Sequence, residues 1–169
     1  NMNLVGKSTL YHSWDRHIND SLQISKYISS KSSSIIDFGT GAGLPGIMLS
    51  IYGYKNVLMV DSKLKKITFI KEFANENKIK IKTICSRIEK IKNQKFDFIT
   101  SRAFASLTKT LHYSLFFAKK NTSLLLLKGI NVKKEISDAK KYFNFNFKLH
   151  NSKSVGGGFV LEIDKFKKI

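Results

Sequence analysis

Several things are scarce in this chain of 169 residues. It has one cysteine, Cys85, which excludes an intramolecular disulfide and fits a reducing compartment. It has no run of about 18 apolar residues, so no membrane span is expected. The opening Asn1-Met2-Asn3-Leu4 shows no signal-peptide h-region, and a cytoplasmic protein is expected. No internal repeat is visible. Acidic residues are few: 12 Asp and Glu face 30 Lys and Arg, for a formal net charge of +18. Arginine is scarcer still, at Arg16, Arg87 and Arg102. Such a basic balance attracts polyphosphates and gains from counterion release, so nucleic acid is the expected partner. Charge does not separate RNA from DNA. The bland alternative is compositional drift, since the lysines are spread throughout a chain rich in Lys, Ile, Asn and Phe.

What the chain does have is a dense glycine turn. In Ile35-Ile36-Asp37-Phe38-Gly39-Thr40-Gly41-Ala42-Gly43-Leu44-Pro45-Gly46 an apolar strand enters the glycines, and the apolar segment Ile47-Met48-Leu49-Ser50-Ile51 follows at once. Glycines let the backbone turn tightly and approach a ligand closely. The helix start behind them offers free N–H groups and a positive dipole end to an anion.

From Ile35 onward strand and helix patterns alternate. Strands are expected at 35–38, 57–60, 81–84, 96–100 and 123–127. Helices are expected at about 44–53, 63–77, 107–119 and 132–142. In the second helix Ile67, Ile70, Phe73 and Ala74 point inward and Lys63, Lys66 and Lys71 outward. Two closing strands, 145–149 and 159–163, flank Ser154-Val155-Gly156-Gly157-Gly158. Alternation of this kind predicts an α/β fold, a mostly parallel seven-stranded sheet with right-handed crossovers and an antiparallel edge hairpin. Ahead of it, residues 1–34 read as an N-terminal helical segment, with Leu10, Trp14, Ile18 and Leu22 in one apolar stripe. Residues 35–169 read as the cofactor-binding domain, the whole forming one structural domain.

The ligand of such a sheet lies at the carboxyl ends of its strands. The expected second strand ends at Asp61, whose carboxylate can accept hydrogen bonds from both ribose hydroxyls of an adenosine group. NAD and S-adenosylmethionine both satisfy that. The glycine spacing separates them. A dinucleotide fingerprint G-x-G-x-x-G would need its third glycine at position 44, where Leu44 stands. The observed Asp37-x-Gly39-x-Gly41-x-Gly43 is the arrangement of methyltransferase loops, so S-adenosylmethionine is the expected cofactor, with Gly39, Gly41 and Asp61 among its contacts. Ile88 and Glu89, after the third strand, are placed to flank the adenine. The alternative is an ordinary loop with a surface Arg87–Glu89 pair.

Absences narrow the reaction. Methylating pyrimidine C5 needs a cysteine nucleophile, usually beside a proline. The only proline is Pro45 and Cys85 is far from it in sequence, so Cys85 is expected to be a small buried filler. Methylating an exocyclic amine typically uses Asp/Asn-Pro-Pro-aromatic after the fourth strand. Here Ser101-Arg102-Ala103-Phe104-Ala105-Ser106 stands instead. A ring nitrogen with a free lone pair, such as guanine N7, needs neither device, because no proton must leave before attack. Arg102 is the one candidate for an electrostatic or positioning role in catalysis. It could grip the methionine carboxylate of the cofactor, a substrate phosphate, or guanine O6. A bidentate grip on O6 and N7 is excluded for a reactive N7, whose lone pair it would occupy. Phe104 is expected in the core, with base stacking as the alternative. No metal site is expected.

Several blocks together resemble one family: Asn3-Leu4-Val5-Gly6-Lys7-Ser8-Thr9-Leu10, Trp14-x-Arg16-His17-Ile18-x-Asp20-Ser21-Leu22, Asp37–Gly46, Val60-Asp61-Ser62, Ser86-Arg87-Ile88-Glu89, Ser101–Ser106 and Leu127-Lys128-Gly129. The chain resembles the RsmG family, also called glucose-inhibited division protein B. The resemblance implies a Rossmann-like class I methyltransferase that places a methyl on guanine N7 of small-subunit ribosomal RNA. Its partner would be that RNA or a 30S-type subunit, and the protein a monomer. It implies cofactor contacts at Gly39, Leu44, Ile88, Glu89 and Arg102, and an RNA-facing cleft near Arg16, His17 and Lys128. His17 and Asp20, three apart on one helix, could instead pair with each other. The family's last hairpin usually carries a basic residue where Gly156-Gly157-Gly158 stands. Two rival readings are a noncatalytic ribosome-assembly protein on a methyltransferase scaffold and a small-molecule methyltransferase.

Overall fold

The computed structural model describes residues 14–92, 94–152 and 157–169, with side chains from His17 onward. It begins in a π-helical turn, Trp14–Asn19, then a short α1 (Asp20–Leu22) and a 3-10 turn, Gln23–Tyr27. The doubly wound unit follows: β1 (Ser34–Phe38), α2 (Gly46–Ile51), β2 (Asn56–Asp61), α3 (Leu64–Glu76), β3 (Lys82–Cys85), β4 (Phe96–Arg102), α4 (Leu107–Phe117), β5 (Ala118–Lys128), α5 (Val132–Ala139), β6 (Phe143–Asn151) and β7 (Phe159–Lys168). The seven strands form one sheet in the order β3-β2-β1-β4-β5-β7-β6. β1 to β5 pair in parallel, and β7 runs antiparallel to both β5 and β6. The order reverses between β1 and β4, the place where an open sheet leaves a crevice at its carboxyl edge.

Both sheet faces are covered, which is why the central strands read as continuous apolar runs. Ile36 and Phe38 pack with Leu124, Leu126 and the α4 and α5 residues Leu107, Leu111, Val132 and Ile136. On the other face Ile35, Val57 and Met59 pack with Ile47 and Leu49 of α2, Ile67 and Ile70 of α3, and Leu125 and Leu127. In α3, Ile67, Ile70 and Ala74 are buried as the periodicity predicts.

Two expectations are corrected. Cys85 is exposed. It ends β3, an edge strand that among the described residues pairs only with β2, so one side of it has no strand neighbour among them. The N-terminal apolar stripe is out of phase. Ile18 and Leu22 are only half-buried, while Ser21, Ile24 and Ile28 are buried together with His17. The π turn and the 3-10 turn change the residues per turn on either side of α1, so a constant spacing of four cannot hold. Leu10 and the Trp14 side chain lie outside the described residues. The N-terminal turns are tied to the edge hairpin: Tyr27 stacks on His150 with ring centroids 4.3 Å apart, and Ser152 Oγ donates to Asp20 Oδ1 at 2.6 Å.

Candidate active site

The glycine loop is organised by a buried carboxylate. Asp37 sits in β1 with no solvent exposure. Its Oδ2 accepts from Thr40 Oγ1 at 2.6 Å and from the Gly46 N–H at 3.0 Å, and its Oδ1 accepts from Thr100 Oγ1 of β4 at 3.0 Å. One side chain therefore holds the loop's start, the first residue of α2 and the neighbouring strand. Burial pushes the Asp37 carboxyl up to about 6, against the lowering effect of these hydrogen bonds. Gly46 must lack a side chain, because a Cβ there would lie 2.4 Å from Met59 Cγ and 2.9 Å from Asp37 Oδ2.

At the other end of the loop Gly39 has φ +63°, and a Cβ on it would meet Phe104 Cδ2 at 2.6 Å. Phe104 gets there because Ala103, just past β4, has φ +52° and turns the chain sharply. Such left-handed backbone at a non-glycine residue is strained and recurs at functional sites. The Phe104 ring packs on Phe38 and Tyr113. The expectation that it belongs to the core is met on that side, while it also lines the cavity described next.

A cavity of about 440 Å³ opens at the carboxyl ends of β1, β2 and β4. This is a size common for small-molecule and cofactor sites. Gly39, Asp61, Ile88 and Glu89, four of the residues expected at the cofactor, line it. Ile88 is buried and presents an apolar floor, whereas Glu89 is exposed and lies 3.9 Å from Arg87. Asp61 is buried at the end of β2. Its Oδ2 accepts from the Gly41 N–H at 3.1 Å and its Oδ1 from the Lys63 N–H at 2.9 Å. Lys66 stands 3.5 Å from Oδ2. Two backbone donors leave acceptor capacity on a carboxylate with about four lone-pair sites. Gly41 is thus bound to the site through Asp61. Leu44 is half-buried on the loop and does not line the cavity.

Arg102, the last residue of β4, is half-buried and likewise lies outside the lining. Its Nη2 contacts Nδ1 of His17. A guanidinium only donates, so that ring nitrogen accepts and the His17 proton sits on Nε2. Burial lowers the Arg102 pKa from its ordinary value, and nearby Asp20 raises it. Nη1 is buried and has no hydrogen-bond partner among the described residues. A buried guanidinium nitrogen without an acceptor is costly unless a ligand supplies one.

The three RNA-facing candidates have different fates. His17 is buried against Arg102. Lys128 reaches inward: its ammonium lies 2.8 Å from Glu135 Oε2 and donates to the Ala105 carbonyl at 3.2 Å, and its side chain is 10% exposed. The same Glu135 oxygen accepts from the Leu107 N–H at 2.9 Å, so Lys128 and Glu135 together brace the turn that carries Phe104. The Arg16 side chain lies outside the described residues. Sequence reasoning missed Lys66 and placed it on an outward face, and it missed Lys109 and Tyr113, all of which line the cavity. No local pattern marks them, since they come from the first turn of α3 and the first turns of α4, and only the packing of those helices brings them to one opening. Among the described residues no three His, Cys, Asp or Glu side chains gather as a metal cluster would. No helix of theirs is long and apolar enough to cross a membrane.

The residues present fit S-adenosylmethionine. Asp61 offers acceptors to hydroxyl donors, and Ile88 an apolar surface to a ring. Among solved structures the chain is similar to a ribosomal protein L11 methylase from Lactobacillus delbrueckii subsp. bulgaricus. That likeness has a TM-score of 0.69 at 21% identity, covering 86% of this chain and 75% of that one. It is similar also to a SAM dependent methyltransferase from Aquifex aeolicus, with TM-score 0.68 at 18% identity, covering 89% and 92%. These likenesses speak for the fold. Closer in sequence is the ribosomal RNA small subunit methyltransferase G of Orientia tsutsugamushi (strain Ikeda), 40% identical over 162 residues, 96% of this chain and 81% of that protein. The protein of the same name from Rickettsia prowazekii is 38% identical over 168 residues, 99% of this chain and 87% of that protein. The family model described as rRNA small subunit methyltransferase G matches residues 1–158. Matched by that model over most of its length and by relatives at 38–40% identity, the chain belongs to the rRNA small subunit methyltransferase G family.

Proposed function

We propose that this protein transfers a methyl group from S-adenosylmethionine to N7 of a guanine in small-subunit ribosomal RNA, acting as a monomer in the cytoplasm. The observation that carries the reading is the cavity at the switch point of the sheet, where Gly39, Asp61, Ile88 and Glu89 converge in a chain of this family. When bound, the cofactor supplies an electrophilic methyl group on a sulfonium.

The chain's own residues bind, orient and exclude water. Asp61 would hold the ribose, and its bonds to Gly41 and Lys63 fix its carboxylate in place. Ile88 would pack on the adenine, with Glu89 at its edge. Arg102, held by His17 and next to the cavity-lining Ala103, would add positive charge beside the anionic end of the cofactor. Phe104 closes one wall over Gly39 and keeps water out. No side chain need act as a base, because N7 carries its own lone pair and no proton leaves before attack. Orientation alone can supply several orders of magnitude in rate. Cys85 does not line the cavity, which supports a route without a cysteine nucleophile.

The test is transfer of labelled methyl from S-adenosylmethionine to small ribosomal subunits from cells lacking this activity, followed by nucleoside analysis. Labelled 7-methylguanosine is expected. Cofactor binding without transfer would overturn the reading in favour of a scaffold role, and transfer insensitive to salt would favour a small-molecule substrate.

A further inference from the structure

A second cavity, of about 360 Å³, lies between α4 and the free end of the β6–β7 hairpin. Its walls are His112 and Tyr113 of α4, Tyr142 and Phe143 at the start of β6, and the lysines Lys109 and Lys168. Nothing in the reaction described above uses it. Three observations give it a chemistry. First, Lys109 and Tyr113 line both cavities, so the two form one path over the first turns of α4. Second, large rings are left in water here: Tyr142 is 56% exposed and Phe116, next along α4, 59%. His112 lies between Tyr113 and Phe116, with ring centroids 5.8 Å from each. A row of rings that the fold does not bury is available to a ligand. Third, among the described residues the lining carries lysines and no carboxylate.

Rings interleaved with ammonium groups suit a flexible chain with flat faces and phosphates. Single-stranded RNA has both, because its unpaired bases can splay onto aromatic side chains while its backbone follows positive charge. A duplex keeps its base faces stacked inside and has none to offer. We propose that this groove holds an unpaired stretch of the substrate RNA adjoining the target nucleotide, with bases on the His112 and Tyr142 rings and phosphates at Lys109 and Lys168. The assignment rests on the RNA substrate proposed above and adds where the flanking strand runs.

The experiment measures binding of a short guanine-containing single-stranded RNA by fluorescence anisotropy over a range of salt, alongside S-adenosylmethionine affinity. The proteins are wild type, Tyr142→Ala, Lys168→Gln and, as a control, Lys55→Gln, an exposed lysine just before β2. Tyr142→Ala is expected to weaken RNA binding at least about fivefold, the low end for losing one base–aromatic stack. Lys168→Gln should flatten the slope of log K against log salt by about 0.7. Lys55→Gln should keep wild-type affinity, and cofactor affinity should hold in all of them, which shows that each variant folds. Wild-type RNA affinity in both Tyr142→Ala and Lys168→Gln would overturn the proposal. So would equal losses in Lys168→Gln and Lys55→Gln, which would reduce the groove to diffuse charge. Lost methyl transfer to subunits with unchanged oligonucleotide affinity would assign the groove to a protein segment of the subunit instead. A wild-type protein that binds cofactor but neither binds RNA nor methylates it would sink the functional reading first, and this assignment with it.

Discussion

The buried Asp37 carboxyl makes the stability of this protein depend on pH in an unusual direction. A free aspartate titrates at 3.8, and burial raises Asp37 to about 6 in the fold. A raised value means that the folded state holds its proton more tightly than the unfolded chain does. The stabilisation from protonating Asp37 is therefore fully present below 3.8 and is lost as pH rises through about 6. The gap, at about 1.4 kcal/mol per pH unit, amounts to about 3 kcal/mol. Other carboxylates oppose it: the hydrogen bonds and charge of Lys119 and Ser34 hold Asp97 down at about 2, which favours the fold above that range. Asp37→Asn isolates the one group. An asparagine can set its amide oxygen toward the Gly46 N–H and Thr40 and its NH₂ toward Thr100, so all three partners keep a bond. Urea unfolding of both proteins from pH 4 to pH 7 is the assay. The unfolding free energy of the variant minus that of wild type should rise by about 2.4 kcal/mol across that range, since part of the loss has already occurred at pH 4, or about 5–10 °C in relative melting temperature for a chain of this size. A flat difference would refute the reasoning, and a falling one would show that the fold depresses the Asp37 pKa.

Three further outcomes follow from the site. Arg102→Ala should lower kcat/KM about tenfold or more, the scale of one lost hydrogen bond to a charged group, with the fold retained by circular dichroism, and wild-type kinetics would remove Arg102 from the mechanism. Asp61→Asn should weaken S-adenosylmethionine binding about tenfold by calorimetry, because the amide turns a donor toward one of the Gly41 and Lys63 N–H groups, and unaltered affinity would contradict the ribose assignment. Gly46→Ala should cost about 1–3 kcal/mol by overpacking, since its methyl would strike Met59 and the Asp37 oxygen, and wild-type stability in denaturant would show that α2 can shift to admit it.

The strand and helix order was readable because each element has its own period and because Asp37, Gly39, Gly41 and Asp61 lie at strand ends, where topology alone assigns a ligand. The N-terminal stripe was not readable. Its helical turns change type within fourteen residues, Trp14–Tyr27, and no single period describes them. Lys128 illustrates a different limit. Its block resembles the family's, but nothing local reveals that Glu135, seven residues on, turns the ammonium inward. Lys66 looked like an outward lysine because the helix period cannot say that the first turn of α3 overhangs the cavity.

By itself the sequence determined the fold class, the cofactor loop and the family, because these depend on periodicity, glycine placement and short motifs that act over a few residues. Tertiary structure alone decided what each charged side chain faces. His17 meets Arg102 across 85 residues, and Asp37 meets Thr100 across 63. It also decided that Lys109 and Tyr113 join two cavities into one path. Such contacts form only when separate elements pack, and the charge, burial and proton affinity of a side chain are set by those neighbours rather than by its place in the chain.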